Sequence, residues 1–147
     1  MASLRTGIPA LGFVLDTNVI SELMRPQPHP GVVQRYLAHQ AQVALPAPIW
    51  HELNYGCLRL PAGRRRSALQ DFLNHVVGNL PKLAYDAAAA LVHAQLRVQA
   101  DAKGRVLPML DSQIAAIAIT RGLTLVTRKT RDFDGLADLR LANWFED

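Results

Sequence analysis

Apolar and polar positions along the chain switch repeatedly between a short extended pattern and a helical one. Gly12-Phe13-Val14-Leu15 reads as a short buried strand running into the polar cap Asp16-Thr17-Asn18, and Val19, Ile20, Leu23 and Met24 then recur at helical spacing. Arg25 to Pro30 holds three prolines and predicts a loop. A helix over Val32 to His39 and a strand over Gln42 to Leu45 follow, with Pro46-Ala47-Pro48 expected to turn the chain before a helix from Trp50 to Leu60. Pro61-Ala62-Gly63 breaks that helix. Arg64 to Val77 has apolar residues at 69, 72, 73, 76 and 77, the stripe of an amphipathic helix. Lys82 to Tyr85 predicts a brief strand, Asp86 caps an Ala-rich helix reaching Ala100, and a helix opened by Pro108 ends at Arg121-Gly122. Leu123 to Val126 and Leu139 to Leu141 complete the strands, leaving Asn143 to Asp147 as a surface tail.

Such alternation predicts an α/β fold, a central parallel sheet with helices on both faces, in which ligands bind beyond the carboxyl ends of the strands. The 147 residues fit one domain, 1–147, without internal repeat or linker. Hydrophobic residues at 50% and charged residues at 19% exclude disordered and low-complexity classes. The apolar runs are too short to cross a bilayer, so no membrane partner is expected. The N-terminal stretch lacks a signal-peptide pattern, which predicts a cytoplasmic protein. The single cysteine, Cys57, excludes an internal disulfide and reads as buried packing. A net charge of +4, carried by thirteen Arg and three Lys, is compatible with a polyanionic partner without requiring one.

Four acids break the pattern. Asp16 ends the first strand, and Asp132 follows Val126 closely enough to return to the same rim. Glu52 and Asp111 lie in apolar helices. Asp111 shares a face with Ile114, Ala115 and Ala118, and Glu52 shares one with Tyr55, Gly56 and Arg59, so both are expected to look inward. Gly56, unfavourable within a helix, suggests a close approach there. Buried carboxylates gathered on one rim are stable in ionised form around a cation, and an oxygen-only set without paired His selects Mg²⁺ or Mn²⁺ over Zn²⁺. Metal-assisted phosphodiester hydrolysis is the chemistry such a site performs. Individual structural readings stand beside this one: Asp16 as a helix cap, Asp111 as a first-turn charge on a helix dipole, Asp132 paired with Arg128 or Arg131, and Glu52 paired with Arg59.

At these residues the chain resembles the PIN-domain ribonuclease toxins of VapC type, FitB-like, from VapBC toxin–antitoxin pairs. The resemblance is carried by Phe13 to Leu23, Glu52-Leu53-Asn54-Tyr55-Gly56, Leu107 to Ala116, and Leu123 to Arg128 leading to Arg131-Asp132-Phe133. It implies a three-layer α/β/α sandwich and an Mg²⁺- or Mn²⁺-dependent endoribonuclease. Asp16, Glu52, Asp111 and Asp132 would be the catalytic and metal-holding acids, supported by Thr17, Asn18 and Thr127. It further implies a homodimer, an RNA substrate, and a VapB-type antitoxin that alone contacts operator DNA. Where the family usually has Asn, this chain has Lys129, and Pro46, Pro48 and Ile49 replace the usual Ser or Thr before the Glu52 helix. Residues 1–11 precede the usual family start and read as a flexible extension or an over-extended start site.

Arg64, Arg65 and Arg66 at a helix start oppose the helix dipole, which suggests retention for RNA phosphate, a role also open to Arg128 and Lys129. A solvated surface or contact with an acidic antitoxin segment competes with it. Trp50, Tyr55 and Trp144 offer base stacking or packing. The alternative to the enzyme is a non-catalytic PIN-like binding or regulatory module in which Lys129 occupies the metal position. An Asp-phosphorylated receiver would need an adjacent acidic pair after its first strand, and no phosphate-binding Gly loop or serine elbow is present.

Overall fold

The computed structural model describes residues 10–146. The expected N-terminal extension falls largely on residues 1–9, outside the described residues. Five strands, β1 (Phe13–Leu15), β2 (Val43–Pro46), β3 (Lys82–Leu83), β4 (Thr124–Val126) and β5 (Arg140–Ala142), form one parallel sheet in the order β3-β2-β1-β4-β5. Six helices join them: α1 (Thr17–Leu23), α2 (Pro30–His39), α3 (Ala47–Leu58), α4 (Arg64–His75), α5 (Ala87–Ala102) and α6 (Met109–Arg121). This is the expected α/β/α sandwich with a central parallel sheet.

β1 pairs with β2 on one side, Phe13 opposite Val43, and with β4 on the other, Leu15 opposite Val126. Chain order reverses there, because β2 follows β1 directly whereas β4 arrives only after α6. Strands splay their connections apart at such a reversal and leave a crevice at the carboxyl ends. Val14, Leu15, Ala44, Leu45, Leu125 and Val126 are fully buried, as strands covered on both faces require.

α6 is buried on nearly every side, with Ile114 to Ala118 inaccessible. Its alanines let α5, α3 and β4 approach it closely. Gly122 ends it in the left-handed conformation, φ 66° and ψ 32°, turning the chain into β4.

Two expectations are corrected. Ala47 and Pro48 belong to the first turn of α3 rather than to a turn before it, because a proline there lacks only an amide that has no helical partner. Residues 143–145 are no surface tail, Asp147 lying outside the described residues: Trp144 is 4% exposed, its ring 5.5 Å from Phe13 and 6.0 Å from His39, and its carbonyl accepts from Arg35 at 2.5 Å. Burial of that large ring secures a segment with no hydrophobic period of its own.

Candidate active site

Asp16 lies between the end of β1 and the start of α1, and its carboxylate is held by three donors. Oδ1 accepts from the Thr17 amide at 2.7 Å, and Oδ2 accepts from the Thr127 hydroxyl at 2.8 Å and from Asn18 Nδ2 at 3.3 Å. Asn18 Oδ1 also accepts from the Arg128 amide at 3.1 Å, which ties the exit of β4 to the start of α1. The carboxylate is thus a helix cap and a fixed acceptor at once. At 2% exposure those donors stand in for the water that the carboxylate has lost.

Asp111, 6% exposed, stands in the first turn of α6. Asp16 and Asp111 thus each stand at the start of a helix. Lys129 Nζ donates to Asp111 Oδ1 at 3.1 Å and Oδ2 at 3.3 Å, and the Lys129 amide donates to Thr127 Oγ1 at 3.0 Å. Burial by itself would lower the pKa of this ammonium. Its hydrogen bond to Asp111 and the charges of Asp16, Asp111 and Asp132 together outweigh burial and hold it above the ordinary lysine value.

These groups border a cleft of about 670 Å³ whose walls also include Thr17, Glu22, Arg25 and Glu52. An adjoining cavity of about 540 Å³ shares Ser21 and Arg25 with it and is lined by Met24, Leu69, Phe72 and Arg65. The cleft lining thus carries four acids, Asp16, Glu22, Glu52 and Asp111, together with the cations Arg25 and Lys129.

The four predicted acids are placed unequally. Asp16, Asp111 and Glu52 share the cleft, but Glu52 has a side chain 45% exposed, 3.8 Å from His51 rather than paired with Arg59. The inner face of α3 belongs to Ile49, Leu53 and Cys57, which turns Glu52 to the helix edge. No group approaches Gly56 within 4 Å of where a Cβ would stand, so the expected close approach is absent. Asp132 is exposed on the 3₁₀ turn Thr130–Phe133 and lies outside the residues bordering the cleft. Among the described residues, no three His, Cys, Asp or Glu side chains are gathered closely enough to hold a metal ion.

The basic residues also separate. Arg64 and Arg65 are exposed and Arg66 is half-buried, and of the three Arg65 lines the cavity next to the cleft. Arg128 is exposed with its guanidinium 4.5 Å over the Phe145 ring. Trp144 is spent on packing and Trp50 is covered by Lys82 at 4.5 Å, which leaves Tyr55 as the exposed ring, beside Arg59.

Residues 13–139 match the PIN domain family. The chain is 37% identical over 139 residues to the VapC ribonuclease Y4jK of Sinorhizobium fredii, which covers 90% of this chain and 97% of that protein. The chain belongs to the PIN-domain family. It is also 35% identical over 140 residues to the toxin FitB of Neisseria gonorrhoeae, covering 91% of this chain and 99% of FitB. Its fold superposes on the crystal structure of DNA-bound VapBC from Salmonella typhimurium with a TM-score of 0.80 at 28% identity, over 91% of this chain and 98% of that one.

In this PIN domain the cleft holds one acid that sequence reasoning did not single out. Glu22 is buried, accepts from the His29 amide at 2.9 Å and pairs with Arg25 at 3.2 Å. The His29 amide bond lowers its pKa most, against burial, and Arg25 and Arg128 lower it further. Its signal was present, an acid between the apolar helix positions Ile20 and Leu23. Glu22 anchors the loop that precedes α2 and fixes Arg25 at the cleft mouth.

Proposed function

We propose that this chain is a metal-dependent endoribonuclease, the toxin of a type II toxin–antitoxin pair, acting in the cytoplasm. The observation that carries the reading is the pair Asp16 and Asp111, two buried carboxylates at two helix N-termini, facing one cleft with a basic rim. Relatives that span nearly the whole chain carry the names ribonuclease and toxin, which supports the same reading. No helix among the described residues is long and apolar enough to cross a membrane.

Nucleases of the PIN-domain VapC type are generally dependent on a divalent metal. The residues fit a hard ion: Mg²⁺ keeps several waters and is commonly held by one or two carboxylates, and Thr17, next to Asp16 in the cleft lining, has a buried hydroxyl without a hydrogen-bond partner. Asp16 and Asp111 would hold Mg²⁺ or Mn²⁺, with Glu52 in the same cleft and Asp132 outside its lining as further acids. When bound, the ion supplies Lewis-acid polarisation of the phosphodiester and a water of lowered pKa.

The protein's own groups do the rest. Thr127 and Asn18 hold the Asp16 carboxylate in one orientation. Arg25, Arg65, Arg128 and Lys129 would hold the RNA backbone, Arg25 pre-aligned by Glu22. Arg64 and Arg66 would extend that phosphate track. A VapB-type antitoxin would cover the cleft and carry any operator DNA contact, and the toxin would act as a homodimer.

The test is RNA cleavage by purified protein with Mg²⁺ or Mn²⁺, with and without EDTA. Asp16→Asn and Asp111→Asn should remove cleavage while the proteins stay folded, and EDTA should abolish it in the parent chain. Undiminished cleavage by a folded Asp16→Asn protein would sink the assignment. Absence of any cleavage or Mn²⁺ binding would leave the non-catalytic module.

A further inference from the structure

Lys129 differs from the other cations proposed to face RNA in that it pairs with Asp111. Its ammonium donates to both oxygens of Asp111, and its backbone amide is fixed to the Thr127 hydroxyl that also binds Asp16. The side chain therefore starts from a rigid point and ends on a buried acid that has fewer other protein donors than Asp16. Asp16 is held by three protein donors, and Glu22 is held by Arg25 and the His29 amide, so Lys129 completes a pattern in which each buried acid of the cleft has a partner supplied by the protein. Yet it is 44% exposed, unlike the acid that it covers. A long, solvated, rotatable side chain can leave toward water while the carboxylate cannot follow.

We propose that Lys129 is a tethered counter-ion that occupies the cation position at Asp111 and must be displaced before a divalent ion binds there. This rests on the metal-dependent reading of the cleft. The ammonium and a divalent ion cannot both contact the same two carboxylate oxygens, and mutual repulsion in a partly buried site makes their occupancies exclusive. Two consequences follow: Asp111 keeps a counter-charge when metal is scarce, and metal affinity is weaker than the carboxylates alone would give.

Isothermal titration of the parent chain and of Lys129→Asn, Lys129→Gln and Lys129→Arg with Mn²⁺ alone decides it. The neutral variants should bind Mn²⁺ roughly 10-fold more tightly, an effect of the size that groups around metal ligands exert, and Lys129→Arg should stay close to the parent. Equal or weaker binding by both neutral variants overturns the proposal, and Asp16→Asn still losing RNA cleavage would leave the nuclease reading standing. No Mn²⁺ binding by any of the four proteins overturns the proposal and the metal-dependent reading together.

Discussion

The Thr127 hydroxyl donates a 2.8 Å hydrogen bond to Asp16 Oδ2 across 111 residues of sequence, joining the exits of the two strands between which the sheet reverses. Thr127 is fully buried and its oxygen also accepts from the Lys129 amide, so one side chain fixes both a carboxylate and the loop beyond β4. Thr127→Val should lower stability by about 1–3 kcal/mol, the range for a hydrogen bond to a charged group and the acceptor left unsatisfied. Thr127→Ser keeps the hydroxyl and should recover most of that loss in urea unfolding. Equal stability of the Val and Ser variants would show that the hydroxyl does not hold Asp16.

Glu52 separates chemistry from stability. Its side chain is half-exposed and forms no buried contact that Gln would lose, so Glu52→Gln should unfold within about 0.5 kcal/mol of the parent chain. RNA cleavage should nevertheless fall by roughly 10-fold or more, because the cleft loses one of its four carboxylates. Parallel urea curves and single-turnover cleavage rates check both halves; an unchanged rate removes Glu52 from the site.

How far this site could be read from the chain depended on whether local pattern or tertiary contact placed each residue. The apolar run ending at Leu15 located Asp16, and Pro108 with Gly122 bounded the helix that buries Asp111. Periodicity misleads at Glu52 because the face it shares with Tyr55 and Gly56 is not the inner face of α3. The stripe Ile49, Leu53, Cys57, spaced four apart, decides the face of α3 and leaves Glu52 at its edge. Trp144 follows the last strand with no period to report its burial, and only the fold brings it to Phe13. The ion pair of Lys129 with Asp111 is equally non-local, since it needs the β4 exit and the start of α6 to meet.

Gly122 tests the helix that carries Asp111 from its other end. Its φ of 66° suits glycine, and a Cβ there would meet only Arg140 Nη2 at 3.8 Å, an ordinary contact. Substitution is therefore opposed by backbone conformation rather than by crowding. Gly122→Ala should cost about 1–2 kcal/mol, and Gly122→Asn less, because Asn tolerates the left-handed region. Thermal unfolding of the two variants gives the comparison, and an Ala variant as stable as the parent would contradict it.

His93 gives α6 a pH-dependent fastening beside Asp111. Its Nε2 is 2.8 Å from Ser112 Oγ and its Nδ1 is 2.6 Å from the Tyr85 hydroxyl. The Ser112 hydroxyl donates to the carbonyls of Met109 and Pro108, so it accepts from His93, which assigns the proton to Nε2 and makes Nδ1 the acceptor for Tyr85. Burial first, and then the charge of Arg97, lower the His93 pKa below its ordinary value of 6.5. In the window below 6.5 the unfolded chain thus binds more protons than the folded one at this site, and the contribution of His93 to stability, complete above that window, is lost as pH falls through the folded value. The urea midpoint of the parent chain should drop between pH 7.5 and pH 5, and His93→Gln should show a smaller drop from a lower starting stability. If the two proteins lose stability in parallel, protonation of His93 is not what loosens the start of α6.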